Sequence, residues 1–215
     1  MPELEFAERS ERDDLGAFVA RAVRLDGTTV VRLRGRDGDK GTGRIDSWVA
    51  TPFDVLATRT VLGRVEPNDV TVSGNELLAA LAVSRGDRID PGPVLDLQWR
   101  SALPPQAHWQ VVELLPAKVV TELADRGLEL ARENTGPNGN PPASLLDQTV
   151  LTVADDKLEV KIPLRCLFAM SGMGFLGTGG ADEQVRVTAT DAWLRIDARF
   201  GAVVRRRHAL LPLLV

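Results

Sequence analysis

The stretch Pro163–Gly180 reads PLRCLFAMSGMGFLGTGG, and inside it Gly172, Gly174 and Gly177 spell G-x-G-x-x-G. Two folds hang on how it is read. A dinucleotide cradle needs a strand before the glycines and a helix after them, because the pyrophosphate rests on the helix amino terminus. Here the order is reversed: Leu164, Leu167 and Phe168 suit a short helix ahead of the glycines, and QVRVTAT, from Gln184, alternates like a strand behind them. The segment reads as a helix carboxyl cap, with Gly172 or Gly174 at positive φ and Phe175 or Leu176 packing back on the core. A P-loop is excluded too, since Gly180 and Ala181 stand where Lys and Ser or Thr are required.

Outward from this bend the chain alternates short helices with strand pairs. Ser10 and Asp13 resemble a capping box, followed at helical spacing by Leu15, Phe18, Val19, Ala22 and Leu25. TTVVRLR alternates as a strand, and GRDGDKGTGR suits a turn. SWVATPFDVLATRTVLGRV has strand character, with Pro52 at an edge, bulge or break. PND then turns the chain into VTV, and Ser73 with Glu76 opens a second helix carrying Leu77, Leu78 and Leu81. VLDLQW and WQVVELL read as strands. Pro116 opens a longer helix to about Glu133, with Val120, Leu123, Ala124, Gly127 and Ala131 on its inner face. Strands QTVLTV and KLEVKI precede the glycine-rich segment, and QVRVTAT, AWLRIDA and AVVRRR follow it.

Three short matches in order hint at an internal repeat: Thr60-Val61-Leu62 with Thr149-Val150-Leu151, Val72–Ala80 with Ile162–Met170, and Val111-Val112 with Val203-Val204. The expected fold is α+β, largely antiparallel sheets with helices on one face. It is open to two duplicated halves of helix, strand pair, short helix and strand pair, divided as 1–115 and 116–215, with GTTVVRLRGRDGDKGTGR inserted in the first.

No catalytic constellation emerges. Asp37 and Asp39 stand at alternate positions as in a calcium loop, but Thr42 and Trp48 occupy the places that need Gly and Glu. The histidines are His108 and His208, and neither lies in a metal-binding or triad spacing. Cys166, on the apolar short helix, reads as a core residue. The pairs Asp13/Asp14, Asp155/Asp156 and Asp182/Glu183 fall at turns or a helix start. No catalytic, cofactor-binding or metal-ligating residue is assigned, and no cofactor is expected. What remains is Arg205-Arg206-Arg207-His208 ahead of ALLPLLV. On a strand Arg205 and Arg207 share a face, so Arg205, Arg207, Leu210 and Leu211 are the candidate partner-binding residues, with Arg195 and Arg199 nearby and nothing aromatic interleaved.

The chain has 215 residues, 44% of them hydrophobic, enough for a sizeable core. Its net charge of −4 argues against nucleic acid as a partner, since there is no global attraction to phosphate. The single cysteine forms no internal disulfide, and no apolar run approaches the roughly 20 residues of a membrane span, so a cytoplasmic setting without membrane contact is expected.

With WVATPFDVLATRTV (Trp48–Val61) and PLRCLFAMSGMGFL (Pro163–Leu176) as its most distinctive stretches, the chain resembles uncharacterised proteins of actinobacteria. The resemblance implies a bacterial, cytoplasmic setting and assigns no activity. The expected function is a non-enzymatic binding or assembly module that acts through protein partners or self-association. One alternative is a small-molecule-binding protein or enzyme with its site between the halves. Another, suggested by the general layout of sliding-clamp domains, is a clamp-like nucleic-acid-associated protein.

Overall fold

The computed structural model describes residues 1–36, 43–84, 86, 88–134, 141–155, 158–177 and 182–207. They form two compact units, one of Met1–Pro52 with Leu56–Ala102 and one of Phe53–Val55 with Leu103–Val215. The α+β class with antiparallel sheets is as the sequence implies.

The first unit contains β1 (Glu3–Phe6), α1 (Arg9–Leu25), β2 (Val30–Arg36), β3 (Arg44–Thr51), β4 (Val55–Glu66), β5 (Asp69–Ser73), α2 (Gly74–Val83) and β6 (Arg88–Ile89). Its sheet runs β5-β2-β3-β4, and β1 pairs antiparallel with both β4 and β6. Strand alternation sends Val31, Leu33, Ile45, Val70 and Val72, all fully buried or nearly so, to the face beneath α1 and α2. Arg59 fastens that face to α1 by pairing with Asp14, while Glu11 accepts the Leu62 amide at 2.9 Å. The helix begins two residues before the Ser10 box: Glu8 is its N-cap, and the Ser10 hydroxyl donates to Glu8 Oε2 at 3.3 Å. The Ser73 cap is found, its hydroxyl accepting the Glu76 amide at 3.5 Å. VLDLQW is not a strand. Asp96–Gln98 make a single 3-10 turn that closes the β5 edge, with the Leu95 amide donating to Thr71 O at 2.7 Å and Asp96 Oδ1 accepting the Thr71 amide at 2.7 Å. Those bonds take up the edge that a further strand would have needed.

The second unit contains β7 (Gln110–Pro116), α3 (Ala117–Glu133), α4 (Ala143–Leu146), β8 (Thr149–Ala154), β9 (Glu159–Pro163), α5 (Leu164–Gly172), β10 (Gln184–Ala189), β11 (Trp193–Ala198) and β12 (Gly201–Arg206). Its sheet runs β12-β11-β10-β7, all antiparallel, and β8 pairs with β9. α3 and α5 pack on each other and on one sheet face, over Val185, Val187, Leu194, Ile196 and Val203. Gly127 lets α3 lie against Leu164 and Phe168 of α5; a Cβ there would fall 2.3 Å from Leu164 Cδ1.

α2 and α5 each open directly after a strand, at Gly74 and Leu164, which are the positions paired in the sequence match at a separation of 90. α5 ends as the sequence implies. Gly174 takes φ +61, its amide donates to Ser171 O and that of Phe175 to Met170 O, both at 2.9 Å, and Phe175 is fully buried.

Candidate functional site

Charge separates the two layers of each unit. α1 carries four arginines against three acids, α2 a single glutamate, and α3 three bases against four acids. The helical layers therefore hold no cationic excess. The opposite sheet faces are where the arginines stand in rows.

In the first unit alternation puts Arg32, Arg34 and Arg36 of β2 on the face away from the helices, and the register sets Trp48 and Asp46 of β3 opposite Arg32 and Arg34. Asp69 holds Arg32 at 2.7 Å and Arg34 at 3.1 Å, and Asp46 holds Arg36 at 2.6 Å and the Thr60 hydroxyl at 2.6 Å. A cavity of about 560 Å³ opens at the end of this face, lined among others by Glu3, Glu5, Arg36, Arg44, Arg64 and Asn68. Glu66 and Gly63 also line it, so its acids match its bases and no one ligand charge is selected.

In the second unit the same face is less balanced. β11 presents Trp193, Arg195 and Asp197, β10 presents Arg186 and Thr188, and β12 presents Arg206. Asp197 lies 2.7 Å from Arg195 and 3.6 Å from Arg186. Arg206 has no acid among the described residues; it lies over the Trp193 ring, 4.8 Å from the centroid. Two of the three cations thus share one carboxylate, and the third has none among the described residues.

Arg205 and Arg207, the residues singled out in sequence, do not stand in that row. Arg205 faces the helices, with Nη2 at 3.5 Å from Asp54 and 3.6 Å from Asp147. Arg207 donates to Thr190 O at 3.0 Å and to Glu159 O. Leu210, Leu211 and His208 lie outside the described residues, as do Asp37 and Asp39. The row consists instead of Arg186, Arg195 and Arg206. The expectation of no interleaved aromatic is corrected by Trp193, which stands directly opposite Arg206 in the register. The missing signal was phase across strands: Trp193, Arg195 and Asp197 alternate in the sequence, but their neighbours on β10 and β12 emerge only from the pairing.

Other polar groups are tied into the scaffold. Arg165 of α5 is 7% exposed; it donates to Asp147 and to the Phe53 carbonyl, and Asp54 lies 3.7 Å from it. Burial pushes the neighbouring Cys166 thiol up to about 12, against the opposing pull of Arg205 and Arg165. His108 is exposed, at φ +67. Among the described residues no three His, Cys, Asp or Glu side chains gather as a metal site, and no helix is long and apolar enough to cross a membrane.

The fold is that of bacterial polymerase clamps. The DNA polymerase sliding clamp of Caulobacter crescentus matches 99% of this chain at 14% identity with a TM-score of 0.59, the chain covering 67% of that protein. The putative DNA polymerase III beta subunit of Eubacterium rectale matches 96% at 11% identity with a TM-score of 0.58, 64% of it being covered. The DNA polymerase III beta subunit of Thermotoga maritima matches 99% at 10% identity with a TM-score of 0.53, 66% of it being covered. The chain spans about two thirds of the length of these proteins. No curated protein matches its sequence. These matches overturn the charge argument against nucleic acid, because this fold is found in subunits of a DNA polymerase. The argument failed because a net charge sums over the surface and hides where the arginines are concentrated. Family models match each half, residues 1–101 as Domain of unknown function (DUF8010) and residues 104–210 as Domain of unknown function (DUF8185). Taken together the two models span nearly the whole chain, which is similar to DUF8010 followed by DUF8185.

Proposed function

We propose that the chain is a clamp-like, nucleic-acid-associated protein. The observation that carries this reading is the extent of the fold match: 96% of the chain aligns with the Eubacterium rectale protein and 99% with the Caulobacter crescentus clamp, each unit supplying a sheet with a helix pair on one face. Its contact with nucleic acid is sequence-independent and electrostatic, and so weakens with salt. Fluorescence anisotropy of a labelled duplex, titrated with the full chain from about 50 to about 200 mM salt, tests it. Binding that falls with salt and ignores sequence is expected. Absence of binding at the lowest salt sinks the reading.

A second reading, a protein-contact module, is favoured by β7. Among the described residues it pairs only with β10, and it exposes Val111 (54%) and Leu114 (50%) beside that unpaired edge. The apolar sequence that carries Leu210 and Leu211 after Arg205 and Arg207 is a second candidate for such contacts. Size-exclusion chromatography of the full chain, a chain ending at Arg207 and a Val111→Lys/Leu114→Lys variant separates the contributions. Identical monomeric elution of all three removes self-association.

A further inference from the structure

We infer that the open edge of β7 is where two copies of this chain pair, β7 lying antiparallel to β7 of the second copy about a two-fold axis between Val112 and Glu113. This rests on the protein-contact reading above, for which it names the partner and the register.

The register with β10 decides where the β7 side chains point. Leu114 stands opposite Arg186 and Val111 opposite Thr188, on the face away from the helices, whereas Glu113 stands opposite Val187, which is fully buried on the helix face. Residues three apart on a regular strand point to opposite faces. Here the register shifts between Val187 and Thr188, so that Val112, itself buried, is the extra residue of a bulge. The bulge brings Val111 and Leu114 to one face, each about half exposed, on a strand that pairs only with β10 among the described residues.

That spacing is self-complementary. An antiparallel pairing centred between Val112 and Glu113 sets Val111 opposite Leu114 of the second copy and Leu114 opposite its Val111, so each exposed side chain gains an apolar cross-strand neighbour. The two bulges lie opposite each other, so neither strand has a residue to spare and the pairing stays in step. Such a contact is isologous and closes at two copies. β5, the end strand of the first unit's sheet, offers no competing edge, because the Leu95 amide and the Asp96 carboxylate already bond its Thr71. Glu113 opposes the pairing. It is exposed and accepts the Leu114 amide at 3.3 Å. With strands about 4.8 Å apart and a rise of about 3.3 Å per residue, the two Glu113 Cα atoms fall roughly 6 Å from each other across the axis, a like-charge pair that keeps the association modest.

The test mixes two full-length variants, Val111→Cys and Leu114→Cys, under mild oxidation. A disulfide-linked dimer is expected from the mixture and little from either variant alone, because each position meets the other and not itself. Cys166 is buried and stays out of reach, and thermal melts check that both chains keep the fold. In sedimentation velocity Glu113→Gln should tighten the dimer about 1.5- to 5-fold, since it removes the like-charge pair at the axis. If the parent associates but the mixture cross-links no better than the single variants, or Glu113→Gln leaves the dimer unchanged, the copies meet elsewhere; the inference is overturned and the protein-contact reading stands. If the parent is monomeric at about 1 mM while a chain ending at Arg207 associates, the edge is taken by the chain's own end, and the inference is again overturned. If both chains stay monomeric, self-association falls with it.

Discussion

Arg165 of α5 grips Asp147 with two guanidinium nitrogens, Nε at 2.9 Å and Nη2 at 2.6 Å. Its third nitrogen, Nη1, donates to the Phe53 carbonyl at 2.7 Å. The arginine is buried while the aspartate is half exposed, so the two partners are not equivalent. Arg165→Met should cost about 2–4 kcal/mol, since it abandons a part-buried carbonyl and the charge-assisted bonds together. Asp147→Asn should cost less than about 1.5 kcal/mol, because water replaces part of what is removed. Urea midpoints of the two variants check the order; equal losses would refute the assignment of Arg165 as the pin.

Gly174 sits at φ +61 where α5 hands over to the buried Phe175. A side chain in that conformation costs about 1–2 kcal/mol. Gly174→Ala should therefore lower stability by that amount, and Gly174→Asn by less, since Asn tolerates the left-handed region. Chemical denaturation of the pair measures the difference.

The Cys166 thiol, raised to about 12 by burial, stays protonated in the fold at neutral pH. In the unfolded chain it ionises near its ordinary value of about 8.5. A group raised on folding stabilises fully below its unfolded value and loses that contribution as pH climbs toward the folded one. Stability should thus fall from about pH 8.5 upward more steeply in the parent than in Cys166→Ala. Urea midpoints at stepped pH would show parallel curves if the thiol were in fact accessible, and a thiol reagent would then label the native protein.

Local chemistry made much of the fold legible. The glycine cap after α5, the Ser73 helix start, the break at Pro52 and the apolar face of α3 all follow from rules that act within a few residues. β1 was missed because Glu3-Leu4-Glu5-Phe6 reads as an acidic terminus; its strand character comes from β4 and β6, far along the chain. The same holds for VLDLQW, whose turn is fixed by bonds to Thr71. The arginine row was invisible for a related reason. Arg205, Arg206 and Arg207 are consecutive, and only the register with β11 tells which of them faces away from the helices.

Packing between α3 and α5 turns on Gly127. A glycine inside a helix costs about 1 kcal/mol relative to alanine, so Gly127→Ala would stabilise an isolated helix. Here the added Cβ would fall 2.3 Å from Leu164 Cδ1 and 3.2 Å from Phe168 Cε1, and Leu164 is 1% exposed, with no solvent to swing into. Overpacking of that kind costs about 1–3 kcal/mol, so the net change should be a loss. The sign should reverse once the obstacle is gone. In a Leu164→Ala background, where a cavity already weakens the protein by about 2–5 kcal/mol, adding Gly127→Ala should restore stability. A double-mutant cycle in urea reads this directly: a coupling near zero would mean that the two helices do not meet through these residues.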